Sequence, residues 1–225
     1  MDISHLKYIP LFSELSDHDL AEITKVAVKQ VFRKDNMILI EEEVGSTMFI
    51  ILEGRVKISR ISDEGREVIL SILSEGDFFG EMSILDGQAR SANVVTLEDS
   101  TIMVIHREDF LQMLHDYPQI AINLLKELAH RLRRSDSQIK SLSLQNATGK
   151  VASTLLRIAD DSGKIHLGQV EISKLPPQQD LANMAGTSRE TISRVLKSLA
   201  EQGYVRKEGN KIIILDYESF RSDFS

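Results

Sequence analysis

The chain has 225 residues, of which 42% are hydrophobic and 27% charged, and its formal net charge is −7. It contains no cysteine, which excludes disulfides, thiolate metal sites, cysteine-ligated iron–sulfur clusters and cysteine nucleophiles. No apolar run approaches the ~18 residues of a membrane span, and the N-terminus lacks the pattern of a signal peptide. We therefore expect a cytoplasmic protein with no membrane partner.

The net charge hides a division of the chain. Residues 1–118 carry 11 basic and 22 acidic side chains, whereas residues 119–225 carry 16 basic and 12 acidic ones. Such an asymmetry predicts two domains with different partners. The total of −7 argues against nucleic acid only at face value, because the second half is positive.

The first part of the chain predicts short strands separated by turns. Apolar or alternating segments recur there with turn residues such as Glu53-Gly54 between them, a spacing typical of a small sandwich or barrel. A helix with an amphipathic face, capped at Ser16, precedes the strands. The predicted strands are 48–52, 56–61, 68–73, 92–95 and 102–105.

A long helix is predicted next, because no Gly or Pro occurs between Pro118 and Asn146. Apolar residues follow one another along it in alternating steps of four and three, which is the coiled-coil period and favours a symmetric dimer. Packing of this helix onto its own domain is the alternative. Ser135 interrupts the seam with a hydroxyl. The predicted seam consists of Leu125, Leu128, Leu132, Ile139 and Leu142.

The last part of the chain predicts a winged helix-turn-helix. A short helix begins at Gln178, Gly186 permits a tight turn, and Ser188 caps a second helix. Two strands around the turn Glu208-Gly209-Asn210 form a hairpin. Two helices, a turn and a hairpin together indicate this DNA-binding motif.

The predicted exposed face of the second helix holds Arg and Glu side chains that can bind the edges of DNA bases. Arg can bind guanine through two parallel hydrogen bonds, and Glu can accept from the cytosine amino group. Residues 187–211 hold six basic and three acidic side chains, so phosphates are attracted as well. A solvated face with routine pairs such as Glu190–Arg194 is the alternative. The predicted DNA contacts are Ser188, Arg189, Glu190, Thr191, Arg194, Lys197 and Lys211.

A second motif lies in the acidic half, at residues 77–94. Arg90 is the one Lys or Arg between residues 67 and 106, and Ser91 adds a hydroxyl beside it. A cation next to a hydroxyl suits a phosphate, and Glu81 offers an acceptor for a sugar hydroxyl. Pairing of Arg90 with Glu81 or Asp86 is the alternative interpretation.

Both motifs resemble those of the CRP/FNR family of transcription regulators. FGEMSILDGQARSANV is similar to the family's phosphate-binding cassette, and TSRETISR to its recognition helix. The resemblance implies an α+β fold with three parts: a cyclic-nucleotide-binding β-roll at 1–117, a dimerisation helix at 118–146 and a winged helix-turn-helix at 147–225. It also implies contacts to cAMP from Gly80, Glu81, Met82, Ser83, Arg90, Ser91, Ser135 and Asp136.

Within that resemblance, Glu81 would hold the ribose 2′-hydroxyl, while Arg90 and Ser91 would hold the cyclic phosphate. Recognition helices of this type imply a TGTGA-like palindromic site, and RNA polymerase is a further expected partner. Asp136 departs from the family pattern, in which a Ser reaches across the dimer. This departure leaves open cyclic di-GMP, another effector, or activity without a ligand.

No catalytic constellation is visible, so we expect a regulator rather than an enzyme. A regulatory module of an enzyme is a more distant alternative, and it would have no need of a basic recognition helix. The six histidines, His5, His18, His106, His115, His130 and His166, lack metal-ligand spacing, so no metal is expected.

Overall fold

The structure is a computed structural model that describes residues 6–224. Helices and strands are mixed along the chain, which confirms the α+β class. Two compact units are present, and the division falls between Leu132 and Arg133, inside the long helix. His5 lies outside the described residues.

The first unit is built on two four-stranded antiparallel sheets. Their strands are β1 Val28–Phe32, β2 Met37–Leu39, β3 Thr47–Glu53, β4 Val56–Ile61, β5 Glu67–Leu73, β6 Phe78–Phe79, β7 Asn93–Thr96 and β8 Ser100–His106. The strand orders are β1-β8-β3-β6 and β2-β7-β4-β5. Each strand predicted from the sequence lies in or overlaps a strand of these sheets. Three further strands, β1, β2 and β6, were not predicted, because they are short or largely exposed.

Apolar side chains from both sheets form one core of the first unit, and helices cover a second core. Helix α1 begins after Ser16, whose hydroxyl accepts from the Asp19 amide at 3.2 Å. Ile120 and Leu124, at the start of the long helix, are buried in the second core. The helices of this region are α1 Asp17–Val26, α2 Glu81–Asp86, α3 Arg107–Asp116 and the long helix α4 Pro118–Leu144.

The seam predicted on α4 divides into three kinds of environment. Leu125, Leu132 and Ile139 are more than three-fifths exposed. Leu128 packs against the helix-covered core of the first unit. Leu142 belongs to the second unit, where its Cδ2 would lie 2.8 Å from a Cβ added at Gly186.

The second unit is a winged helix-turn-helix, as the sequence predicted. Asn146 caps the next helix by accepting from the Gly149 amide at 2.9 Å, and Gly186 makes the turn with φ of 59°. The elements of this unit after α4 are α5 Ala147–Ser162, β9 Lys164–His166, β10 Gln169–Ile172, α6 Gln178–Ala185, α7 Arg189–Glu201, β11 Val205–Glu208, β12 Lys211–Ile214 and α8 Tyr217–Phe224. The four strands form one sheet with the order β11-β12-β10-β9.

Candidate effector site and DNA-binding surface

Arg90 is a buried cation held by neutral groups. It is only 5% exposed. Its Nη1 donates to the Gly80 carbonyl at 2.8 Å, and its Nη2 donates to the Thr47 carbonyl at 2.8 Å and the Thr47 hydroxyl at 3.1 Å. Within the described residues it forms no ion pair with Glu81 or Asp86, so the alternative interpretation of this arginine is not what the structure shows.

Two glycines make room for this guanidinium. A Cβ at Gly45 would lie 2.4 Å from both Cζ and Nε of Arg90, and one at Gly80 would lie 2.8 Å from Nη1. Gly80 also has a left-handed φ of 81°, which a side chain would strain. Gly45 and Thr47 were not recognised in the sequence, since they lie more than 40 residues before Arg90.

The arrangement leaves Arg90 able to bind an anion. A guanidinium has five N–H donors, and the Gly80 and Thr47 oxygens engage three of them. Burial lowers the pKa of Arg90, an effect that the charge of Glu81 opposes. A buried cation whose partners are carbonyls and a hydroxyl attracts an anionic ligand strongly, because low-dielectric surroundings screen the attraction between opposite charges poorly.

Glu81 pairs with the long helix. Its carboxylate is buried, and its Oε1 accepts from Nη1 of Arg131 at 3.2 Å. Burial raises the pKa of Glu81, while the charge of Arg131 opposes that rise. Arg131 also donates to the Phe78 carbonyl at 2.8 Å and lies 4.3 Å from the centre of the Phe78 ring. No local sequence pattern indicated that Arg131 contacts the candidate site.

The remaining predicted cassette residues differ in exposure. Ser91 is exposed, and its hydroxyl lies 3.7 Å from the Met82 sulfur, which is half-exposed. Ser83 is buried, and its carbonyl accepts from Nη1 of Arg107 at 3.1 Å. Ser91 can therefore reach a ligand with its side chain, whereas the Ser83 side chain faces the interior.

Ser135 and Asp136 are exposed on α4. They follow Arg131 by four and five residues, so Ser135 lies about one helical turn further along the same face. Both belong to the second compact unit, whereas the other predicted ligand contacts belong to the first.

Helix α7 is held by an N-terminal cap and by a buried face, and its opposite face carries the predicted DNA contacts. Ser188 caps it by accepting from the Thr191 amide at 3.2 Å. Hydrogen bonds from its own amide and from the Ser188 side chain lower the pKa of Glu190, so this exposed group is an acceptor at neutral pH. Arg194 is exposed and, within the described residues, makes no ion pair with Glu190. The opposite face, with Ile192, is buried.

The wing adds exposed cations beside this helix. Lys211 lies at the hairpin and pairs with Glu171 at 3.0 Å, while Lys197 on α7 pairs with Glu201 at 3.7 Å. Both pairs are solvent-exposed, so they cost little to break when a phosphate competes.

Among residues 6–224 no group of three His, Asp or Glu side chains is placed to hold a metal ion. In the same residues, no helix combines the length and the apolar character needed to cross a bilayer.

Two family models cover most of the chain. A cyclic nucleotide-binding domain matches residues 29–117, and a Crp-like helix-turn-helix domain matches residues 149–222. This order defines a transcription regulator that binds a cyclic nucleotide and DNA.

Relatives that match along most of both chains are transcription regulators of the same kind. The chain is 32% identical over 208 residues to a CRP-like cAMP-activated global transcriptional regulator of Mycobacterium tuberculosis, covering 92% of this chain and 93% of the relative. It is 35% identical over 201 residues to the cyclic AMP receptor protein of Thermus thermophilus, covering 89% and 90%. The chain therefore belongs to the CRP/FNR family of transcription regulators.

A solved structure shares the fold at lower identity. The cyclic di-GMP-responsive global regulator CLP of Xanthomonas campestris superposes with a TM-score of 0.73 at 21% identity, covering 88% of this chain and 99% of that one.

Proposed function

We propose that the chain is a homodimeric, sequence-specific transcription regulator with cAMP as its allosteric effector, and that it is not an enzyme. The observation that carries the effector assignment is the buried Arg90 guanidinium with carbonyl partners and unused donors. The two relatives above, a cAMP-activated regulator and a cyclic AMP receptor protein, support cAMP as the ligand.

The cyclic phosphate would bind Arg90 and the Ser91 hydroxyl, next to the backbone of Gly80. The ribose 2′-hydroxyl would donate to Glu81, which is a carboxylate held by Arg131. Main-chain atoms of Met82 and Ser83, in the first turn of α2, would complete the sugar side. The base would extend toward Ser135 and Asp136.

The dimer would form along the exposed side of α4. Leu125, Leu132 and Ile139 recur every seven residues and are exposed. A strict seven-residue repeat lets two such helices pack around a twofold axis. Leu128 and Leu142 flank this stripe and also hold the helix to each unit.

The DNA contacts would divide into base readout and phosphate positioning. Arg189, Glu190 and Arg194 would read a TGTGA-like half-site in the major groove. Phosphates would be contacted by Ser188, Thr191, Lys197 and Lys211. Because double-stranded DNA is its partner, we place the protein in the cytoplasm.

RNA polymerase is the further partner that we propose, with the β9–β10 hairpin as the contact. Leu167 at its tip is 89% exposed and has a φ of 48°, and Ile165 is 76% exposed. A leucine in the left-handed region is strained, and exposed apolar residues at a hairpin tip suit a protein contact.

The effector would act by shifting a conformational equilibrium. It can favour the DNA-binding arrangement only by as much as it binds that arrangement better. Cyclic di-GMP is the second candidate effector. The regulator CLP, which has the same fold, is cyclic di-GMP-responsive, and Asp136 stands where the family pattern has a Ser. DNA binding without any ligand is a further alternative.

The test is a calorimetric titration with cAMP, cGMP and cyclic di-GMP, followed by fluorescence anisotropy on a TGTGA palindrome and a scrambled duplex of equal composition. We expect one cAMP to bind per protomer. We also expect cAMP to tighten binding to the palindrome but not to the scrambled duplex. If the protein binds cyclic di-GMP but not cAMP, cyclic di-GMP is the effector in place of cAMP. If it binds the palindrome equally well with and without ligand, DNA binding needs no effector.

A further inference from the structure

Arg134 lies on α4 directly before Ser135 and Asp136, and it is joined to the DNA-binding domain. Its Nη2 donates to both carboxylate oxygens of Asp161, near the end of α5. Each side chain is only one-third exposed. Burial raises the pKa of Asp161, although Arg134 opposes that rise. This pair is therefore more enclosed than an ordinary surface ion pair.

A second arginine, Arg157, lies about one helical turn before Asp161 on α5. Burial lowers the pKa of Arg157, and the charge of Asp161 opposes this effect. Within residues 6–224, Nη2 of Arg157 is buried without a hydrogen-bond partner, so the charge of Asp161 acts on two guanidiniums. Its neighbour Asp160 accepts from the Tyr217 hydroxyl and from Arg221 at 3.0 Å, which ties the same end of α5 to α8.

Further contacts hold the rest of this stretch of α4 and the segment after it. Leu142 packs on Gly186, the turn of the helix-turn-helix. Gln145 donates to the Phe224 carbonyl at 3.1 Å and accepts from the Ser153 hydroxyl at 2.7 Å. Arg134 is the first of these attachments along the chain, which agrees with a second compact unit beginning at Arg133 rather than at the helix break near Asn146.

We infer that Arg134 and Asp161 are positioning residues for the effector response. Their ion pair makes the helical turn that carries Ser135 and Asp136 part of the DNA-binding unit. A displacement of that turn is then passed to the recognition helix as a movement of one rigid body. The inference rests on the proposed function in one respect, namely that the effector contacts this turn.

The chain supplies a matched control. Arg133 is adjacent, of the same residue type and exposed, and it forms no ion pair with another residue of the described chain. Arg134→Gln removes the ion pair while leaving Asp161 beside Arg157. Arg133→Gln removes one exposed positive charge from the same turn. Arg134→Lys keeps the charge as a compact ammonium in place of the planar guanidinium.

The first measurement is the ratio of palindrome affinity with and without saturating cAMP, together with the cAMP affinity of each variant. Allosteric coupling is commonly about 5–150-fold, and we expect Arg134→Gln to reduce the ratio at least threefold by the same principle. Arg133→Gln should keep the wild-type ratio, and Arg134→Lys should recover part of it. An unchanged ratio in Arg134→Gln would overturn the inference.

The second measurement needs no effector. Amide hydrogen exchange of ligand-free protein should become faster at residues 135–144 in Arg134→Gln and remain unchanged in Arg133→Gln. If wild-type protein does not respond to cAMP, the proposed effector fails while this measurement still decides whether the ion pair attaches the turn. Unchanged exchange in both variants would overturn the attachment.

Discussion

The two units present the arginines proposed to meet phosphate-containing ligands in opposite environments. Arg90 in the first unit is 5% exposed and fixed by the oxygens of Gly80 and Thr47. Arg194 in the second unit is exposed on α7. A small ligand can be enclosed, so a desolvated cation binds its single charge strongly. A duplex cannot be enclosed, so its many charges are met by exposed side chains on a rigid helix.

The comparison also shows where each unit keeps its rigidity. In the first unit, Gly45 and Gly80 bring the backbone against the guanidinium itself. In the second unit, the capped start of α7 and the buried Ile192 fix the helix, while the side chains proposed to read bases are exposed to solvent. A single substitution at the enclosed Arg90 should therefore abolish most of the ligand affinity. A single substitution among the exposed side chains of α7 should lower the DNA affinity by only part of its value.

The largest effect is expected from Arg90→Leu. It removes the charge that meets the phosphate and leaves the Gly80 and Thr47 carbonyls without their donor. Loss of a buried, charge-assisted partner costs about 2–5 kcal/mol, so cAMP affinity should fall by a factor of 30 or more, which is about 2 kcal/mol. Titration calorimetry measures this, with circular dichroism to check the fold.

Arg33→Leu is the control for Arg90→Leu, because Arg33 is 81% exposed and pairs with Asp99 at the surface. It should leave cAMP binding unchanged. If Arg90→Leu binds cAMP as the wild type does, the phosphate does not bind at Arg90, and the contrast between the two arginines is lost.

Leu132→Glu should dissociate the dimer. Leu132 is 64% exposed in the single chain, so the substitution spares the core of the unit, unlike one at Leu128. Two carboxylates facing each other at a dimer seam repel and are desolvated. Light scattering should report a monomer for Leu132→Glu and a dimer for Ser137→Glu, which lies on the outer face of the same helix. A dimer in both variants would refute the seam.

Arg194→Ala should cost ~1–3 kcal/mol in DNA binding and relax specificity at one base pair. Lys211→Ala is the comparison, since loss of a phosphate contact weakens binding to all sequences and lowers the salt dependence. Anisotropy with a set of single-base variants of the palindrome separates the two. An equal loss on every sequence for Arg194→Ala would make Arg194 a phosphate contact.

The smallest effect concerns alkaline stability of the second unit. Burial and the hydrogen bond to Asp160 raise the pKa of Tyr217 to about 12 from 10.0. Between these values the folded chain retains a proton that the unfolded chain has lost, so stability falls as pH rises through this window. Urea unfolding of Tyr217→Phe should show a flatter pH dependence there than the wild type or Tyr8→Phe, in which an exposed tyrosine is changed. Parallel curves for all three proteins would contradict this.

Local features of the sequence predicted much of the fold. Strands at 48–52 and 102–105 have continuous apolar runs, and Asn146 and Ser188 are caps that satisfy nearby amides. The β1 strand, Val28–Phe32, was missed because its side chains are largely exposed and show no alternation. The α2 helix was missed because it has only six residues between two glycines.

The candidate site was only partly predictable for a different reason. The sequence identified Arg90 as an isolated cation and Glu81 as an acceptor. It gave no sign that Arg131, fifty residues further on, pairs with Glu81, or that Gly45 and Thr47 enclose Arg90. These contacts depend on how sheets and helices pack, and no local pattern encodes that packing.

By itself, the sequence indicated two domains, a dimer seam and a winged helix-turn-helix, because charge asymmetry, a heptad repeat and local motifs are visible without the fold. The class of the protein followed from the resemblance of its two motifs to those of the CRP/FNR family. The lack of cysteine had already excluded thiolate-based sensing. Only the tertiary structure decided that Arg90 is buried among carbonyls, that the second unit begins within α4, and that Arg134 pairs with Asp161. Burial and long-range ion pairs arise when distant segments meet, so they appear only once the chain is folded.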